Sequence, residues 1–323
     1  MTNLNLLPPE TRAAANDAWQ RAQERQEAQS LDTTSQGFGS AALLNTLNAD
    51  VREAREEGKA GFSKLEIITD PETQRAFGTA FALSERLVGH IGLSAPTPEQ
   101  MVSVGVNLQY LAKQFELMEQ EEGVAPHVVL APHGLGKQNW LAMIKEIATD
   151  KTIPNNPLDQ HPLSDIIKVR DVYGLYISPE ITDDIWHNLD QASTFTTTPA
   201  LNILPTYKCI NGLLNIEWTL RLISGRERPM QLGKPYQNIQ KLSIEHQTLV
   251  EGLTDKFTTV LAGGELTDRS AGSWCLQPDM NAHTAPYIHW GTFSDRVCVK
   301  LADLRRPASY NYYSHIGIRP SVG

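Results

Sequence analysis

The sequence predicts an α+β protein in three regions: a helical N-terminal region over 1–125, a small α/β segment over 126–195, and a strand- and loop-rich region over 196–323. Three observations predict it. Up to about residue 125, apolar residues recur at helical spacing behind Asp-Pro-Glu and Thr-Pro-Glu openings. Around residue 130 a short apolar run meets a Gly-x-Gly turn and then a helical pattern. Beyond about residue 200, Trp, Gly and Pro are frequent and long helical patterns are few.

The first 60 residues are polar. PPETRAAANDAWQRAQERQEAQS (8–30) has helix formers after a Pro-Pro start and breaks at LDTTSQGFGS, and NADVREAREEGKAG (48–61) is a second helical piece. Both are weakly apolar, which suits a mobile or partner-packed arm as well as a docked helix. DPETQRAFGTAFALSERLVGHIG (70–92) and TPEQMVSVGVNLQYLAKQFELMEQEEG (97–123) open with capping residues followed by Pro, and their apolar faces predict an antiparallel helix pair. Val128 to Ala131 predict a buried strand, Pro132 to Gly136 a turn, and Asn139 onward a helix. IIKVRDVYGLYIS (166–178) predicts one or two strands and SPEITDDIWHNLDQ (178–191) a capped helix. STFTTTPALNILP (193–205) suits a linker, and KLSIEHQTLVEGLTDKFTTVL (241–261) one or two helices.

Bulk properties bound the function. At 323 residues, 41% hydrophobic and 20% charged, the chain has the composition of a globular protein with room for two or three domains. A net charge of −9 argues against a nucleic-acid partner. No basic segment followed by an apolar stretch opens the chain, so cytoplasmic synthesis without a signal peptide is expected, compatible with later display on a virion or cell surface. No run approaches the ~18 apolar residues of a membrane span, so no membrane insertion is expected. Cys209, Cys275 and Cys298 are odd in number and unlike a zinc pattern, which suits reduced, buried thiols.

Three motifs invite chemistry. APHGLGKQNW (131–140) approaches a phosphate loop, but Gln138 stands where Ser or Thr would hold magnesium and Pro132 where the first Gly belongs. An ordinary strand-to-helix turn is the better reading. His283, His289 and His315, with Asp279 or Asp303, contain metal-ligand types without ligand spacing, so a polar recognition face explains them better. Cys298 sits in RVCVKL, an alternating strand whose Val297, Val299 and Leu301 share one face. No catalytic residue, metal or cofactor is expected.

The C-terminal run is different in kind. Ser309, Tyr310, Asn311, Tyr312, Tyr313 and His315 lead directly into Ile316-Gly317-Ile318-Arg319-Pro320. Tyr offers a large rigid contact at low entropy cost, and Asn and Ser adaptable hydrogen bonds, as in antibody loops. Asn281, His283, Tyr287, His289 and Asp303 make a second candidate patch. Residues 281–323 carry Arg296, Lys300, Arg305, Arg306 and Arg319 against Asp295 and Asp303, a net +3, which is compatible with an acidic partner.

Asp268-Arg269-Ser270-Ala271-Gly272-Ser273-Trp274, the strand with Arg296, Arg305-Arg306-Pro307, and Gly317-Ile318-Arg319 together resemble the end of the formylglycine-generating-enzyme type of C-type lectin fold. Members of that fold carry an R-G-G-S-W phrase and close on a G-[FVI]-R strand. The resemblance covers about the last 60 residues, and Ser270-Ala271 replaces the first Gly of the phrase. It implies a C-type-lectin-like ligand-binding domain over 196–323, with Gly272, Trp274, Gly317 and Arg319 as scaffold. Within that fold the chain also resembles the variable proteins of diversity-generating retroelements, whose ligand-binding face is rewritten by changing AAY codons to NNY. Such codons exclude Glu, Gln, Lys, Met and Trp. Those five types occur 63 times in the chain, yet only Trp290 and Lys300 fall within 281–323. The other 61, spread over 280 residues, would predict roughly nine there, although strands and turns also depress Glu, Gln and Lys. The resemblance implies a binding protein for a macromolecular ligand, preferably protein, with oligomerisation allowed. Two alternatives stay open: an oxidoreductase like the formylglycine-generating enzymes, using Cys275 or Cys298 with copper, and a structural or adhesion protein with a fixed surface.

Overall fold

The computed structural model describes residues 63–153, 156–158, 174–191, 201–203, 215–234, 236–240, 244–264, 271–276, 283–291, 296–304 and 315–323. The chain separates into two compact units, Met1–Asn45 and Thr46–Gly323, and every described residue belongs to the second. The helical pieces expected before residue 62 lie outside the described residues.

Capping chemistry sets the helices. After a short 3-10 turn at Ser63–Ile67, α1 spans Pro71–Gly89. The Asp70 carboxylate accepts from Thr73 N–H at 2.7 Å, and that bond holds its pKa below the usual value. Phe77, Phe81, Leu87 and Val88 form its buried stripe. The single helix expected over 97–123 is two. α2, Pro98–Ser103, starts on a capping box between Thr97 and Gln100. Gly105, at φ 100°, turns the chain out of the helix, and Asn107 caps α3, Leu108–Glu122, by accepting from Tyr110 N–H. Phe115 of α3 meets Phe77 of α1 with ring centroids 6.4 Å apart.

Two sheets follow. In the first, β1 (His127–His133) runs antiparallel to β4 (Ile216–Ile223) along its whole length, from His127 opposite Ile223 to His133 opposite Glu217. β3 (Leu201–Ile203) and β9 (Ser321–Val322) also pair with β4. The second sheet has the order β2-β7-β6-β5-β8. Its strands are β2 (Leu175–Ile177), β5 (Gly272–Trp274), β6 (Thr284–Gly291), β7 (Arg296–Asp303) and β8 (Ile316–Gly317). Between β1 and β2 lie α4 (Lys137–Thr149), and after β2 comes α5 (Asp183–Leu189), capped by Thr182. A short α6 (Tyr236–Gln240) precedes α7 (Leu249–Leu261).

α7 packs against α1, β1 and β6, and nearly all its residues are buried. A helix enclosed on every side must neutralise its polar groups internally. Glu251 completes a capping box with Thr248 and stands 4.0 Å from the Arg221 guanidinium, Thr254 donates to the Val250 carbonyl, and Asp255 meets His127.

The boundaries expected at 125/126 and 195/196 do not separate compact units. Ser84 of α1 donates to the Leu130 carbonyl of β1 at 2.7 Å, β1 pairs with β4, and β2 pairs in parallel with β7. One hydrophobic cluster runs from Leu65 to Val299. The expected linker over 193–205 likewise contributes β3 to the first sheet. The α+β class holds, and the segment expected to be a separate α/β piece is woven into the rest. Among the described residues no helix is long and apolar enough to cross a membrane.

The C-terminal residues are sewn in on both sides. Ile318 and Met230 exchange backbone hydrogen bonds of 2.8 Å, Gly233 N–H reaches Ile316 O, Ser224 N–H reaches Pro320 O, and Ser321 N–H reaches Glu245 O.

Candidate ligand-binding face

Strand alternation divides the second sheet into two faces. Ile288, Trp290, Val297 and Val299 join the large core beside α7. Tyr287, His289, Cys298 and Lys300 have the other parity: Tyr287 stands opposite Lys300, and His289 opposite Cys298 on one side and Gly272 on the other. One end of this second face is filled by a smaller cluster of Tyr236, Ile239, Trp274, Ala285, Tyr287, Ala302, Ile316 and Ile318.

An aromatic row crosses that cluster toward His289. His246 meets Tyr236 edge-on with centroids 5.9 Å apart, and Tyr236 lies 5.3 Å from Trp274. Trp274 meets Tyr287 edge-on at 5.8 Å, and Tyr287 stacks on His289 at 5.8 Å. The row begins at buried His246 and ends at half-buried His289. Tyr287, expected as a display residue, is instead a core residue at 6% exposure, because its side of the strand is the side Trp274 occupies.

The other expected contact residues divide between the two ends of the sheet. His283 is exposed beside the Thr284–Asp303 pair, and its carbonyl accepts from Leu304 N–H. His315 is exposed at the opposite end, where its carbonyl accepts from Gly272 N–H at 2.7 Å, next to His289. From Thr284 to His289 the strand climbs ~17 Å, so His283 does not converge with His289 and His315 on a common ion. Asp303 is half-buried and of opposite parity to Lys300. Asn281, Ser309, Tyr310, Asn311, Tyr312 and Tyr313 lie outside the described residues.

The four scaffold positions are all buried. Gly272 and Gly317 sit on neighbouring parallel strands, Ser273 opposite Gly317. A Cβ on Gly317 would lie 2.2 Å from the Met230 carbonyl oxygen, and one on Gly272 would lie 3.3 Å from the His289 Cβ. Arg319, 1% exposed, donates to the carbonyls of Ser224 at 2.7 Å and Glu227 at 3.2 Å.

The two described cysteines are buried thiols outside any disulfide. Cys275 belongs to the large core, bonded through its backbone to Pro286, whereas Cys298 has the parity of His289. They therefore belong to opposite faces of the sheet. Burial pushes the Cys298 thiol up, against the pull of Lys300 and Arg296 two residues to either side. These two cations were not singled out as contact residues from sequence. The signal was present: once Val297, Val299 and Leu301 are given to one face, Arg296, Cys298 and Lys300 are left for the other.

The Gly-x-Gly turn after β1 already holds a carboxyl group of its own. Gly134 N–H reaches one carboxylate oxygen of Asp190 at 2.9 Å and Gly136 N–H the other at 2.7 Å, while Lys137 Nζ donates to the Ile181 carbonyl at 2.8 Å. Burial pushes Asp190 up to about 7, with those two N–H groups opposing it. Asp190, not a bound phosphate, satisfies this turn.

No protein-family model, curated protein or solved structure matches this chain.

Proposed function

We propose that the chain is a binding protein that presents a diversified C-terminal surface on a C-type-lectin-like scaffold and performs no catalysis. The observation that carries this reading is how residues 305–314 are bracketed. They leave β7 at Leu304, tied to His283, and return at His315, tied to Gly272, into a strand whose next residues are locked by backbone bonds to Met230, Gly233 and Ser224. The bracketed run holds the Tyr-, Asn- and Ser-rich sequence and none of the five residue types that NNY codons exclude. Fixed anchors around a rewritable segment are the arrangement a variable binding surface requires.

The test is sequencing of the gene's 3′ end across a natural population. Changes confined to first and second codon positions within 281–289 and 303–315, with third bases fixed, are the expected outcome. A uniform 3′ end would remove diversification and leave a fixed-surface binder.

A further inference from the structure

We infer that the outer side of residues 231–234 and 236–238 is a fixed part of the ligand-binding surface, with Leu232 as its apolar contact and Lys234 beside it for a carboxylate of a protein ligand. This rests on the binding reading above and names the part of the surface that is not rewritten.

Position supplies the first argument. Residues 305–314 leave the described chain at Leu304 and return to it at His315. Gln237 Nε2 donates to the Leu304 carbonyl at 3.1 Å, and Gly233 N–H reaches the Ile316 carbonyl at 3.0 Å. Two residues of one short stretch thus hold both ends of the run. The same stretch has two sides. Met230, Tyr236 and Ile239 pack in the smaller cluster with Trp274 and Tyr287, whereas Leu232, Lys234, Gln237 and Asn238 are exposed. Of the exposed large hydrophobic side chains described, Ile67, Tyr110 and Val124 precede β1, and Leu232, 40% exposed, is the one that borders the run.

The turn that carries Leu232 is held in one shape. Gln231, at φ 57°, is the one non-glycine residue at positive φ among the described residues. A side chain is disfavoured there, and such a residue persists where the surrounding bonds dictate the backbone. Those bonds are the Met230–Ile318 pair at 2.8 Å, Gly233 N–H on Ile316, and Lys234 N–H on the Gln231 carbonyl at 3.2 Å. An apolar contact mounted on such a turn loses little freedom on binding. Composition supplies the last argument. Gln231, Lys234 and Gln237 are types that NNY codons exclude, and residues 305–314 contain none of them, so on the diversification reading this stretch stays constant beside a run that changes. Lys234 is exposed with no ion pair among the described residues, and its flexible stem and point charge suit a carboxylate that arrives in varied geometry.

The probe is a library of random dodecapeptides displayed on phage and panned on the full chain. Enriched peptides are then synthesised with fluorescein and titrated by anisotropy. They are expected to carry an apolar residue close to an Asp or Glu. Leu232→Asp should weaken them about tenfold and Lys234→Gln less, at an unchanged unfolding midpoint, while Tyr110→Asp, an acid placed at another exposed hydrophobic position, should leave them unaltered. Should Leu232→Asp lower the midpoint, Leu232→Ser replaces it, with a smaller loss expected. No enrichment, enriched peptides without acidic residues, or equal losses in the Leu232 and Tyr110 variants would each overturn the assignment. The Tyr310→Ala variant separates the two levels. Peptides lost on Tyr310→Ala and indifferent to Leu232→Asp would remove the fixed contact and leave the binding reading standing. Peptides lost on Leu232→Asp and indifferent to Tyr310→Ala would keep the contact and take the tyrosine run out of the surface, and indifference to both would remove both.

Discussion

At the scale of single residues, Trp274 and Tyr310 should behave as opposites. Trp274 is fully buried between Tyr236 and Tyr287, so Trp274→Ala is expected to cost about 3–5 kcal/mol in urea unfolding. Tyr310→Ala is expected to stay within about 0.5 kcal/mol of the parent while weakening capture of a selected ligand. A collapse of the fold by Tyr310→Ala would make that run core and not display. His133 offers a second residue-level test. It is buried, bonded through Nε2 to the Thr219 hydroxyl at 3.0 Å, and burial pushes it down to about 3, with Arg221 adding to the effect. Between that value and its ordinary 6.5 the unfolded chain binds a proton that the native chain refuses, so stability falls as pH drops through this window. Asp190, raised to about 7, acts with the opposite sign: the native chain keeps a proton the unfolded chain has lost, and stability falls as pH rises from 3.8 toward 7. His133→Gln should therefore flatten the acid side of the profile while the Asp190 slope remains, read from urea midpoints across this range.

At the scale of elements, β8 is the sharpest case. The Met230 carbonyl oxygen stands 2.2 Å from where a Cβ on Gly317 would be, and it belongs to a backbone that bonds Ile318 on both sides. Gly317→Ala should cost about 1–3 kcal/mol, measured as a fall in the unfolding midpoint. The elements also show what the sequence made legible. α1 and α5 were readable because Asp70 and Thr182 cap locally, and a cap needs only the next three residues. The break before α3 was written in Gly105 and Asn107 but masked by the continuing spacing of Leu108, Leu111 and Phe115. β3 was missed because its reason to exist is β4, distant in sequence. For the candidate face, alternation revealed which residues of β6 share a side, but not that Tyr236 and Trp274 cover half of it. That is why Tyr287, expected at the surface, lies in the core. The burial of Gly272, Trp274, Gly317 and Arg319 was legible only through the resemblance that singled them out.

At the scale of the whole molecule, one core joins regions that the sequence suggested were separate, so distant changes should report together. Deleting residues 316–323 removes β8, β9 and the Arg319 contacts to Ser224 and Glu227. The truncated chain should lose the cooperative thermal transition altogether, monitored by near-ultraviolet circular dichroism. Retention of a normal transition would show that the C-terminal strands decorate a core already complete. The pairing of β9 with β4 also acts as a check on reading frame. Residues 305–314 are followed in the chain by β9, so a frameshift or stop there removes one of the three strands that pair with β4. On the proposed binding reading, only messages that read through intact would yield the complete fold, and a damaged surface would be discarded by misfolding before it met a ligand.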